Sequence, residues 1–308
     1  MNFLKKKFAW AIIYTILLTS FTIYVLLDTF IIRKVHTQVP SENNNFNFSD
    51  KINLSEDENS ESKSAVITEN SYSDDNINIT ITEYRECNTT IYAADITVSS
   101  ATYLKTAFAN NSYGKNITAN TSEIAEGNNA ILAINGDFYG AQTKGYVIRN
   151  GILYRDIRAD NQEDLVIYKD GSFQIIMESD ISAAKLIENS ALHVLSFGPA
   201  IIIDGDISVL ENEEVNKAMT NNPRTAIGII DERHYILLVS DGRTDESKGL
   251  TLYQLAEFMQ KLEADIAYNL DGGGSSTMYF NGNVINKPTT NGNTIKERKV
   301  SDIVYIGY

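Results

Sequence analysis

Three carboxylates, one amide and two guanidiniums stand where short polar segments meet apolar runs. Asn135-Gly136-Asp137 follows ILAI, Asn222-Pro223-Arg224-Thr225 opens AIGII, and Ser240-Asp241-Gly242-Arg243 closes YILLV. The most unusual segment is Asn269-Leu270-Asp271-Gly272-Gly273-Gly274-Ser275-Ser276-Thr277. Its glycines permit positive φ and remove side-chain bulk, so backbone N–H groups can converge on an anion while Asp271 and the hydroxyls flank it. Carboxylates without histidine partners suit glycoside chemistry, where one carboxyl group protonates a leaving oxygen and another supports an oxocarbenium-like centre. Arginines and a glycine loop suit a phosphate. A sugar 1-phosphodiester carries both features.

Each segment alone reads as an ordinary turn, because Asn, Asp and Gly are the common turn residues. The glycine run fails the GxGxxG pattern at Thr277, lacks the Lys of a P-loop, and is no GxSxG elbow, which requires Gly at 277. One cysteine, Cys87, and three histidines, His36, His193 and His234, cannot build a zinc site of His and Cys ligands. His193 sits in the apolar ALHVLSF as a core residue and His234 in the charged turn DERH, so no Ser-His-Asp set forms. The sequence requires no cofactor and gives no metal ligand set, although Asp137, Asp241, Asp271 and Asn135 offer oxygens that a Ca²⁺ or Mg²⁺ ion could take. A net charge of −14 and a pI near 4.7 argue against a nucleic-acid partner.

The elements that must hold these residues are mostly strands. Ile77, Ile79 and Ile81 alternate with Asn78, Thr80 and Thr82, which predicts a half-buried strand. Asn150-Gly151, Asp170-Gly171, Asp204-Gly205 and Asn281-Gly282 each separate two apolar runs, the signature of a hairpin. A helix is predicted at about residues 252–263, where Leu252, Leu255, Ala256, Met259 and Leu262 share one face and Thr251 with Gln254 makes a capping box. A strand should follow it and end at Asp271. Residues 77–308 thus read as one α+β domain, a strand-rich mixed sheet with a few helices.

The first part of the chain differs. Phe8 to Leu27 is an uncharged run of 20 residues, long enough as a helix to cross a bilayer core of about 30 Å. Residues 8–32 are predicted to be a single-pass signal anchor. Lys5–Lys7 place residues 1–7 in the cytoplasm and the C-terminal domain outside the cell membrane. Residues 41–80 hold nine acidic and two basic side chains. That composition predicts a disordered acidic linker over residues 33–76.

NGDFYG, SFGPA, NPRTAIG, SDGR and NLDGGGSSTMYFNG, in this order and followed by ERKVSDIVYI, resemble the phosphodiester glycosidase family over roughly residues 91–308. The resemblance implies hydrolysis of the bond between a sugar's anomeric carbon and the phosphate of a phosphodiester. It implies a site at Asn135, Gly136 and Phe138; at Phe197, Gly198 and Pro199; at Arg224, Thr225 and Gly228; at Asp241 and Gly242; and at Asp271 to Ser275. Asp137 and Arg243 depart from the family pattern, so neither is implied to be essential.

The expected mechanism uses Asp271 as nucleophile or charge stabiliser and Asp241 as second acid/base. The expected substrate-binding set is Asn135, Gly136, Asp137, Arg224, Thr225, Arg243, Gly272, Gly273, Gly274, Ser275 and Ser276, with Arg224 and the glycine N–H groups on the phosphate. The expected partner is an anionic sugar phosphodiester or envelope glycan. Two alternatives stay open: a non-catalytic protein holding such a glycan during envelope polymer assembly, and a transferase acting on the same linkage.

Overall fold

The computed structural model describes residues 8–39, 65–212 and 221–308. All four predicted turns close hairpins. Asn150-Gly151, Asp204-Gly205 and Asn281-Gly282 place both residues at positive φ, which matches the strand twist in a two-residue turn. Hairpins make antiparallel neighbours. Every strand pairing among the described residues is antiparallel, where a mixed sheet was expected.

A nine-stranded sheet has at its centre Ile266–Asn269, Arg224–Asp231, His234–Ser240, Thr89–Val98 and Ile77–Glu86, in that order. One five-stranded sheet runs Asn283–Val284, Met278–Phe280, Leu132–Asn135, Asp302–Ile306, Leu104–Phe108, and a second is built on Val147–Arg149, Ala191–Leu195 and Glu163–Tyr168. The alternation of Ile77, Ile79 and Ile81 puts all three side chains in the main core, with Ile227 and Leu237 from the large sheet and Leu132, Ile134 and Leu165 from the other two. The other face of the large sheet is covered by helix Leu252–Lys261, whose Leu252, Leu255, Ala256 and Met259 pack on Ala226, Ile236 and Leu238. Its capping box is formed as predicted.

Ordered strands begin before residue 77. Val66–Ile67 and Ser71–Ser73 add two edge strands to the large sheet, with Tyr72 buried in the core. Lys34–Gln38 pairs with Ser112–Lys115. Both ends of the predicted linker are therefore paired backbone; residues 40–64, its middle, lie outside the described residues. Short polar edge strands gain their place from ladder hydrogen bonds and leave little apolar signal to read.

Ala9–Phe30 is a helix of 22 residues, exposed and with a hydropathy of 2.0, long and apolar enough to cross a membrane. Lys5–Lys7 lie outside the described residues.

Candidate active site

Strand register gathers the predicted residues. Arg224 faces Ser240 at one end of the large sheet, and Ala226 faces Asn269. In the neighbouring sheet Asn135 faces Ile303, and Ile134 faces Met278. The ends of three strands and the starts of three thus lie together, and the 270–277 segment crosses from the large sheet to the smaller one. Asn135 stitches that crossing. Its Nδ2 donates to Asp271 O at 2.6 Å, and its Oδ1 accepts from Thr225 Oγ1 at 2.9 Å and Thr277 N at 3.3 Å. Thr225 Oγ1 lies 3.1 Å from Ser276 Oγ. Asn135, Thr225 and Ser276 are all buried, so this is a rigid frame beneath the loop.

The glycines serve a different end from the one expected. A Cβ on Gly272 would lie 2.9 Å from Pro223 O, on Gly273 2.8 Å from Arg243 Nη2, and on Gly274 2.3 Å from Thr290 Oγ1. Three separate segments press on three successive residues. Gly273, at φ +62, donates its N–H to Pro223 O at 2.8 Å, and Ser275 and Ser276 donate theirs back to Gly272 O and Gly273 O. The proposed phosphate cradle of glycine N–H groups is corrected at Gly273, because that donor holds the loop against the 222–224 segment.

Asp271 is 9% exposed. Its Oδ2 accepts from Ser275 Oγ at 2.6 Å and from Arg298 Nη2 at 3.0 Å, and Arg298 Nε donates to Ser275 Oγ at 2.8 Å. Burial pushes the carboxyl group above its ordinary range; Arg298 and Ser275 oppose that shift. Asp241, buried at the end of its strand, accepts from Lys287 N at 2.8 Å and Asn286 Nδ2 at 3.2 Å. It too is pushed up by burial, against those two donors. Asn286 Nδ2 also bonds Ser276 O at 3.0 Å, which ties Asp241 to the glycine loop. Two carboxyl groups whose proton affinity burial raises thus flank one loop, a perturbation that clusters at functional sites.

The guanidiniums divide into two kinds. Arg224 is buried, with Nε on Leu250 O at 3.0 Å. Arg243 and Arg298 are partly exposed. Arg243 reaches over Gly273 and donates to Asn222 Oδ1 and Thr290 O, both neutral acceptors. Among the described residues no carboxylate lies within ion-pair distance of it. Desolvation and the neighbouring Arg298 charge lower its proton affinity. Paired positive charges of this kind suit a phosphate.

Asp137 does not join this group. Its Oδ2 meets Arg149 Nη2 at 2.8 Å and Ser196 N at 2.8 Å, and Arg149 also binds Asp302 at 2.9 Å, all fully buried. Its carboxylate fixes the core, a correction to its predicted substrate contact; Gly136 is glycine because Asp302 Oδ1 lies 2.3 Å from where its Cβ would be. Among the described residues no three His, Cys, Asp or Glu side chains converge as metal ligands. His193 is a core residue, bonded to Leu104 O at 3.0 Å, and burial lowers its pKa to about 3. Of the SFGPA segment, Gly198 O accepts from Asn269 Nδ2 at 2.8 Å, so this segment braces the strand that leads into Asp271. Arg298 and Asn286 escaped sequence reasoning: an arginine inside ERK reads as surface charge, and an asparagine before Lys-Pro reads as a turn.

Buried carboxyl groups and partly exposed guanidiniums are gathered at one end of antiparallel sheets in an α+β protein. The phosphodiester glycosidase family model matches residues 128–307, and the chain belongs to that family. It is 27% identical over 190 residues to the SPbeta prophage-derived uncharacterized protein YomE of Bacillus subtilis, and 29% identical over 175 residues to the N-acetylglucosamine-1-phosphodiester alpha-N-acetylglucosaminidase of Mus musculus. Those alignments cover 60% and 51% of this chain but 29% and 33% of the relatives, so the chain spans about a third of their length. The zebrafish N-acetylglucosamine-1-phosphodiester alpha-N-acetylglucosaminidase catalytic domain, auto-inhibited by its pro-peptide, has the same fold, with a TM-score of 0.59 at 22% identity over 75% of this chain and 83% of that one.

Proposed function

We propose that the chain is a membrane-anchored, extracytoplasmic phosphodiester glycosidase that hydrolyses a glycosyl-1-phosphate linkage in cell-envelope glycan metabolism. The observation that carries this is the pairing of Asp271 with Ser275 and Arg298 beside the carboxylate-free Arg243. Water replaces phosphate at the anomeric carbon: the C–O bond to phosphate breaks, and a phosphate monoester leaves with that electron pair. Such a leaving group needs charge compensation more than full protonation, and Arg243 and Arg298 supply it. Asp271, held in one orientation by Ser275, supports the positive anomeric centre or attacks it. Asp241, kept protonatable by burial, is the second acid/base. Asn135 positions the loop from beneath.

The test incubates the full chain in detergent micelles with a panel of sugar 1-phosphodiesters and follows free sugar. Release that is lost in Asp271→Asn supports the reading. Binding without release would instead favour a glycan-holding protein.

A further inference from the structure

The end of the N-terminal helix and the candidate site lie at the same end of the sheets. Phe108 faces Asp302 there, beside the Asn135–Ile303 pair that carries the site. From Phe108 the chain turns through Ala109–Asn111 into Ser112–Lys115, the strand that pairs with Lys34–Gln38. Three residues separate helix Ala9–Phe30 from Lys34. That junction is tied down: Lys34 Nζ meets Asp28 Oδ2 at 2.7 Å, and Asn116 Nδ2 donates to Thr29 O and Ile32 O, each at 3.1 Å. On the other side Asn116 N bonds Gly140 O at 3.3 Å and Tyr113 stacks on Tyr139 at 5.4 Å. The turn at Tyr139 begins three residues after Gly136, whose carbonyl accepts from Asp271 N at 3.3 Å. Hydrogen bonds and stacked rings thus join the helix end to the glycine loop without a break.

We infer that the substrate is borne by the membrane: a glycosyl phosphodiester whose second alcohol is a lipid. This rests on the glycosidase reading and on the helix being an anchor. A free linker of 44 residues, as the composition of 33–76 suggests, would let the domain roam by about 35–40 Å, whereas three unpaired residues allow roughly 10 Å. The site end of the domain is therefore held at the bilayer surface. Apolar side chains are exposed on that end, Ile31, Ile32 and Val35 beside the helix and Phe138 in the turn before Tyr139, where Phe138 takes a left-handed φ of 66° and is 40% exposed. Arg33 and Lys115 add positive charge at the same edge, Lys34 being paired with Asp28, and this favours a surface of phosphate headgroups. A lipid tail stays in the bilayer while its sugar phosphate reaches Arg243 and Arg298. Water attacks the anomeric carbon, the sugar departs with the new hydroxyl, and the phosphate monoester remains on the lipid with the second proton.

The test reconstitutes the full chain in phosphatidylcholine vesicles. Trp10→Phe combined with Phe138→Trp reports lipid contact through quenching by brominated lipid. Trp10→Phe with Glu232→Trp, in the hairpin turn at the opposite end of the large sheet, is the control. Quenching of Trp at 138 and not at 232 is expected, and equal or absent quenching at both overturns the seating. The unmutated chain is then given methyl and hexadecyl esters of N-acetylglucosamine 1-phosphate at equal total concentration, with at least a tenfold preference expected for the hexadecyl ester. Equal rates, or preference for the methyl ester, overturn the lipid-borne substrate and leave the glycosidase reading standing. Failure to cleave either ester, with the quenching pattern intact, overturns the glycosidase reading and this substrate with it.

Discussion

Replacing Arg298 by glutamine withdraws a positive charge from Asp271 while keeping a side chain that can donate to Ser275 Oγ. The guanidinium makes two contacts with the carboxylate, at 3.0 and 3.2 Å, and these oppose the upward pull of burial on Asp271. A hydrogen bond to a charged group contributes about 1.5–3 kcal/mol. Because the Arg298 side chain is 41% exposed, solvent screening places this pair at the lower end. About 1.5 kcal/mol corresponds to roughly one pH unit. If Asp271 acts as the ionised carboxylate, the acidic limb of kcat/KM against pH should therefore move up by about one unit in Arg298→Gln. Arg298→Lys should restore most of it. The assay is free-sugar release from a sugar 1-phosphodiester between pH 4 and 9. A limb that stays in place, whatever the fall in overall rate, would refute the claim that Arg298 sets the ionisation of Asp271.

Asp271→Asn should lower kcat by at least about two orders of magnitude with a much smaller change in KM, the scale of electrostatic and general acid–base effects. Its melting temperature should equal or exceed the parent's, because at neutral pH the fold strains against an ionised buried carboxylate. Gly274→Ala drives a methyl group into Thr290, whose carbonyl holds Arg243; a loss of about 1–3 kcal/mol in urea unfolding and a raised KM are expected. Arg149→Met leaves Asp137 and Asp302 buried without their cation and should cost about 3–5 kcal/mol. Asp302 is pushed up to about 7 by burial and the Asp137 charge, whereas an unfolded Asp ionises near about 4. The fold then carries the extra proton between those values, so its stability falls as pH rises through that window. Thermal scans at pH 5.5 and 8 should show the higher melting point at 5.5, with a smaller difference in Asp302→Asn.

Much of the scaffold was legible because its signals are local. Asn-Gly and Asp-Gly pairs dictate hairpins through two dihedral angles, and the Thr251/Gln254 box with its apolar stripe dictates a helix through spacing alone. The strand ends carrying Asn135, Thr225, Asp241 and Asp271 were legible for the same reason, since each polar cluster interrupts an apolar run. What the sequence withheld depends on contacts between distant segments. Arg298 is identified by Asp271, which precedes it by 27 residues, and Asn286 by Asp241, 45 residues away. The edge strands at 34–38 and 66–73 have no apolar alternation to announce them.

Asp137 and Asp271 show why residue type alone could not assign roles. Both follow an asparagine at the end of a buried strand, and both meet an arginine at about 3 Å. Asp137 has two buried N–H donors and a guanidinium with no solvent access, so its charge is fully committed to the core. Asp271 has a hydroxyl and a guanidinium that is partly in water, so its partner can turn to another anion at small cost. The accessibility of the arginine, set by which segment carries it, separates a structural ion pair from one that can take part in a reaction. Arg149 lies inside a sheet, whereas Arg298 lies in the loop that follows the 283–284 strand and packs against Gly274.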